Sequence, residues 1–295
     1  MKFFTLVIVL TSFLAKAQDS LQVTEQNKSF SLGTRNAFIL EIPQATVKNT
    51  KSDWKSYLRS NTKRSVSEKD GELILPKGTI TDITSDSVTV FITVTSAGPK
   101  SLLTVFFLKN DSSYISRPTN ASEANAASFF MRKFGISEYK NAVLIELKQE
   151  IKKSDDLEKK VSNLESENEN FRKKIDQNDR FVSRTRDDIK ANEADQVLKS
   201  NNIVEQKTLL NHFTGTAEQL KIEDKKLKSM TKELEKLRDN KDKSLDKISG
   251  RQSDNRDYQK SIDKNLSETI PAAKGEVSQQ KFVVTAIQNK LTNIK

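Results

Sequence analysis

From Leu157 to Ile189 the large apolar residues recur in steps of three, four and seven. Leu157, Val161, Leu164, Phe171, Ile175, Val182 and Ile189 share one face of a helix, with Lys, Glu, Asp, Asn and Arg between them. This is the a/d spacing of a coiled coil, and so narrow a stripe is buried only against another helix. Asn168 and Asn178 fall on the same seam. A buried Asn there costs stability but fixes register, because its amide needs a matching partner. The stripe fades between 192 and 202, where Asn201-Asn202 reads as a bend. A second seam follows through Phe213, Leu220, Leu227, Met230, Leu234 and Leu237 to Ile248. Gly250 interrupts it, Tyr258, Ile262 and Leu266 continue it weakly, and Pro271 and Gly275 mark a further break. Val284, Ile287, Leu291 and Ile294 close the chain at heptad spacing. Either the two seams fold together as an antiparallel hairpin, which the interruptions favour, or several chains pair in parallel.

The N-terminal part has a different periodicity. Phe38, Leu40 and Ile42 alternate with their neighbours until Pro43, which reads as a strand. Thr50 can cap a short helix, with Asp53 three residues on, Trp54 and Leu58 inward, and Lys51, Lys55 and Arg59 toward water. Strands follow at Glu72–Leu75, Thr79–Ile83 and Val88–Thr95, separated by Pro76-Lys77-Gly78 and a turn at Asp86. Leu102–Leu108 is apolar on both faces, as in a central strand covered on both sides. A short strand is expected near Tyr114–Ser116. A helix from Ala121 to Phe134 carries Ala124, Ala127, Met131 and Phe134 on one stripe and ends at Gly135. Ser137 then caps the next helix, which continues through Tyr139, Val143, Leu147 and Ile151. The expected fold class is α+β: a small antiparallel-sheet domain with helices on one face, followed by a long helical coiled-coil or hairpin region. The expected ranges are 1–17 for a signal peptide, 18–136 for the head and 137–295 for the helical arm.

The first 17 residues read as a secretory signal. Lys2 precedes an apolar run from Phe3 to Leu14, and Ala15-Lys16-Ala17 is a small-x-small cleavage site before Gln18. The run is short of the roughly 20 apolar residues that span a bilayer, and no later segment reads as transmembrane. The expected location is periplasmic or secreted.

Composition sharpens this picture. Only 35% of residues are hydrophobic, 31% are charged and mean hydropathy is -0.64, as suits a chain with a striped rather than a globular half. Cysteine is absent, which removes disulfides, thiol catalysis and thiolate metal sites. The net charge is +10, and loss of Lys2 and Lys16 leaves +8. Residues 18–140 hold 16 basic and 12 acidic groups, and 141–295 hold 32 and 28. Interleaved signs describe a solvated surface rather than a specific nucleic-acid site, and leave room for weak attraction to anionic envelope polymers.

Candidate chemistry is thin. The single histidine, His212, has no partners for a metal or a triad. The eight glycines are scattered, so no phosphate-binding loop is formed. Ser52-Asp53-Trp54-Lys55 and Ser253-Asp254-Asn255 echo motifs of penicillin-recognising enzymes, but S-x-x-K recurs six more times and K-T-G is missing. Asp82 and Asp86 read as turn residues rather than a glycosidase pair, and Trp54 as core rather than a sugar platform. No catalytic, cofactor or metal residues are assigned. The expected function is a non-enzymatic interaction protein, with a head that binds a partner and a coiled coil for spacing or self-assembly. The alternatives are a holdase-type envelope chaperone and an enzyme or ligand site in the head.

Overall fold

The computed structural model describes residues 21–295, so the signal-peptide reading lies outside the described residues. The chain forms two compact units, Met1–Asp155 with Ser278–Lys295, and Asp156–Val277.

Among the described residues the first unit contains six antiparallel strands. They are β1 (Val23–Phe30), β2 (Gly33–Pro43), β3 (Ser67–Lys69), β4 (Glu72–Thr79), β5 (Ser87–Ala97) and β6 (Lys100–Lys109), in the sheet order β1-β2-β6-β5-β4-β3. The strand that is apolar on both faces, β6, is central, as its composition requires. One face carries Phe38, Leu40, Ile42, Val90, Ile92, Leu103, Val105 and Phe107. It is covered by Trp54 and Leu58 of α1 (Val47–Thr62) and by Ala124, Ala127, Phe130, Met131 and Phe134 of α2 (Ala121–Asn211). The opposite face holds a small aromatic cluster. Phe30 stacks on Phe106 at 4.1 Å, with Phe91 and Tyr114 beside it.

Four local expectations change. β1 was not legible, because VTEQNKSF is apolar only at its ends; it is an edge strand, largely in water. β4 runs through Pro76 as one strand with an irregularity between Leu75 and Gly78. The third strand pairs only with residues 72–74, so the proline sits where no partner needs its amide. The α1 cap is Thr46, one turn before Thr50, and its hydroxyl accepts from the Asn49 amide at 3.1 Å. Thr50 is buried, its hydroxyl 2.7 Å from that of Ser101. Near Tyr114 there is a single bridge to Leu108 rather than a strand.

The helix expected to stop at Gly135 does not stop. α2 runs without interruption from Ala121 to Asn211. A Cβ on Gly135 would lie 2.7 Å from Leu40 Cδ2, so the glycine is there for close packing on the sheet, not to end a helix. Tyr139 and Val143 therefore join the core of the first unit, together with Ile287 and Ile294. That is why contacts divide the chain at 155/156 and 277/278 rather than at 136/137. The break expected at 192–202 is also absent. The turn is His212-Phe213-Thr214-Gly215, after which Thr216 and Gln219 form a reciprocal capping box for α3 (Ala217–Lys264). α3 passes through Gly250 without a break, since an exposed helical glycine only weakens a helix. Before α4 (Ile270–Asn293), residues Asn265–Thr269 form a π-helical turn.

Candidate functional site

The second unit is an antiparallel pairing of α2 with α3 and α4, and each step up α2 is a step down the returning limb. Gln206 donates to Glu223 at 2.7 Å, Lys241 pairs with Glu193 at 2.6 Å, Asn178 donates to Asn255 at 2.8 Å, and Lys160 pairs with Glu276 at 3.1 Å. Phe171 stacks on Tyr258 at 5.4 Å, with the Lys174 ammonium over the Tyr258 ring. The hairpin arrangement is thus the observed one.

The predicted seam residues mostly face the pairing. Val161, Asn168, Val182 and Leu234 are buried, and Leu157, Leu164, Phe171, Ile175, Leu227, Met230 and Leu237 are half-buried. Leu220 is the exception at 43% exposed: it stands in the first turn of α3, level with the end of α2, where no second wall covers it. Phe213 belongs to the turn, packed against Gly215.

Several seam residues escaped the sequence reading because they are polar. Thr185 and Gln206 are buried at heptad positions, as is the apolar Ile203. Counting threes and fours from Ile189 reaches Asn192, Gln196, Lys199, Ile203, Gln206 and Leu210, so the repeat continues where apolarity fades. The asparagines form matched layers. Asn178 also accepts from Arg251 at 3.1 Å, and Asn255 donates to Asp179 at 2.8 Å. Asn168 accepts from Asn265 at 2.9 Å, while its own amide nitrogen is buried without a partner among the described residues. Such layers cost stability and oppose a slipped register.

Outside the seam, exposed aliphatic residues gather toward the turn. Val197, Leu198, Val204, Leu209 and Ile222 are each more than 60% exposed. A shallow groove of about 480 Å³ runs between Leu198 and Leu237, flanked by Asp195, Lys199, Asn202, Glu233 and Lys236.

In the first unit, the chemically unusual group is Glu138 of α2. It is 4% exposed and hydrogen-bonded to Asp53 of α1. Burial, and then the neighbouring Asp53 carboxylate, push its pKa up to about 7. The two side chains are close enough for the neutral Glu138 acid to donate to Asp53. Beside them Trp54 meets Phe134 edge-on at 4.7 Å and lies 5.6 Å from Tyr57. The indole is fully buried, so Trp54 is core, and its Nε1 has no acceptor among the described residues. Burial, with Asp82 adding to it, pushes the Tyr57 hydroxyl up to about 12. Asp86 pairs with Lys109, which also holds Glu123. One concavity of this unit, about 600 Å³, is open, lies on the sheet face away from the helices, and is lined by Thr24, Gln26, Lys28, Ile39, Glu41 and Leu102 among others. It does not include the Asp53–Glu138 pair.

Among the described residues no group of three or more His, Cys, Asp or Glu could hold a metal, and no helix is long and apolar enough to cross a membrane. Comparison with protein-family models, curated proteins and solved structures finds no match.

Proposed function

We propose that this chain is an exported, non-enzymatic interaction protein. In this reading the head binds a partner, and the coiled-coil hairpin sets spacing and offers a second protein-binding surface near its turn. The observation that carries it is the gathering of exposed aliphatic side chains off the seam at 197–222. The apolar seam is used up within the chain, so these residues do not serve the hairpin itself. Self-assembly through the seam is correspondingly disfavoured. The test places a photo-crosslinking side chain at Leu198, Leu209 or Ile222, and at Glu169 or Lys190 as exposed controls away from the turn. Discrete adducts with one protein at the turn positions, and none at the controls, support the reading. No adduct at any turn position refutes it. Export is checked by sequencing the N-terminus of material released from the envelope, where Gln18 is the expected first residue.

A second reading, a holdase, draws on the same exposed aliphatics together with the excess positive charge. It requires that the chain suppress aggregation of an unfolded outer-membrane protein and that salt weaken the effect. An unchanged aggregation rate removes it.

A further inference from the structure

We propose that the solvent face of α1 is a docking site for a linear polyphosphate chain. The charge excess of the head is not spread over it. Residues 47–70 contain seven basic groups (Lys48, Lys51, Lys55, Arg59, Lys63, Arg64 and Lys69) against three acids (Asp53, Glu68 and Asp70). That surplus equals the whole excess of residues 18–140, and the remainder of the head is balanced at nine against nine. Lys51, Lys55 and Arg59 are spaced four apart, which puts them on one side of α1 about 6 Å from one another along its axis, and Lys63 follows at the C-terminal cap.

The acids on this stretch do not cancel the row. Glu68 is shared by Lys51 and Lys55, at 3.1 and 2.7 Å, so one carboxylate answers two ammoniums. Asp53 turns the other way, toward Glu138. Lys48, Arg59, Lys63 and Arg64 are exposed and make no ion pair among the described residues. Arg59 and Lys63, with Ser56 and Ser60, border an open concavity of about 380 Å³. Both serine hydroxyls donate to backbone carbonyls of their own helix, at 3.1 and 2.9 Å. The attraction there therefore comes from the two cations.

Lys63 itself ends the helix in the left-handed region, φ 57° and ψ 16°, with its amide donating to the Arg59 carbonyl. That is a position glycine fills best. A lysine held there borders the same concavity as Arg59 at a conformational cost.

A polymer fits this face better than a bilayer does. The apolar side of α1 is already committed, with Trp54 and Leu58 fully buried against the sheet, so nothing remains to insert between lipids. A row of exposed cations instead complements a linear chain of phosphates, whose counterions it would release.

The experiment measures binding of the purified chain to sodium polyphosphate over a range of salt concentrations. It compares the wild type with Arg59→Gln/Lys63→Gly and with a control of equal charge loss on α3, Lys225→Gln/Lys232→Gln. The expected result is about tenfold weaker binding for the α1 variant, a shallower dependence on salt by roughly one to two contacts, and less than a twofold change in the control. Lys63→Gly relieves the left-handed backbone, so the melting temperature of that single variant should hold or rise while its affinity falls. Equal weakening by both double variants overturns the proposal, since binding would then follow total charge alone. Absence of binding at moderate salt overturns it as well. Binding to phosphatidylglycerol vesicles without binding to polyphosphate overturns the choice of a polymer.

Discussion

Replacing Glu138 by Gln tests whether its buried carboxyl governs the stability of the first unit. Burial favours the neutral acid, so the folded chain keeps this proton to about pH 7, whereas a carboxyl in the unfolded chain loses it near 4.5. Its contribution is therefore intact below about pH 4.5 and is lost as the pH climbs through 7. At about 1.4 kcal/mol per pH unit the gap corresponds to roughly 3 kcal/mol, and partial solvent access around Asp53 brings this to about 2 kcal/mol. A glutamine amide donates to the Asp53 carboxylate as the neutral acid does, yet cannot ionise. Glu138→Gln should match the wild type at pH 4.5 and exceed it by about 2 kcal/mol at pH 8. The assay is urea unfolding between pH 4.5 and 8.5, followed by Trp54 fluorescence. Trp54 is the only tryptophan, and it sits in the aromatic cluster next to Asp53, so the signal reports on this unit. Glu68, Glu150 and Glu233, whose pKa values are lowered by lysine neighbours, act in the opposite direction at acid pH. They are common to both proteins and cancel in the difference. Parallel stability curves across the range would refute the reasoning.

Two further outcomes follow from the packing. Gly135→Ala and Gly250→Ala make the same change in a helix and should move the melting temperature in opposite directions. The first drives a methyl toward fully buried Leu40 and costs about 1–3 kcal/mol, while the second meets nothing within 4 Å and gains up to about 1 kcal/mol; a gain in both would show that Leu40 yields freely. Deleting Leu266 removes the surplus residue of the π-helical turn, which leaves Pro271 inside a regular helix at a cost of about 3 kcal/mol. The deletion alone should therefore lower the thermal midpoint of the helical circular dichroism signal, and adding Pro271→Ala should restore it; failure of that rescue would mean that the turn is not an inserted residue.

The fold class was legible because its two halves obey different periods. Val88, Val90, Ile92 and Val94 alternate, and Val161, Leu164, Phe171 and Ile175 do not. What stayed hidden was wherever tertiary contacts decide. Gly135 reads as a stop until Leu40 is seen against it. β1 lacks apolar residues because an edge strand is held by the backbone of β2. Gln206 and Thr185 do not announce a seam because a seam position is defined by its place in the repeat. The Asp53–Glu138 pair joins residues 85 positions apart and carries no local signature; only an acid on the inward side of a helix, in phase with Phe134, hints at it.

The π-helical turn has one more consequence. From Leu220 to Thr269 the returning limb keeps a regular cadence through Leu227, Leu234, Ile248 and Ile262, and from Ile270 it resumes through Ala273 and Val277 one residue out of step. The turn takes up the added residue, so Ile262 before it and Ile270 and Ala273 after it are all buried. If one limb slid by a full heptad, the apolar steps on both sides of the turn would find equivalent neighbours, whereas Asn168 would lose Asn265 and Asn178 would lose Asn255. The amide layers, and not the greasy steps, are therefore the detents that hold this arm at one setting.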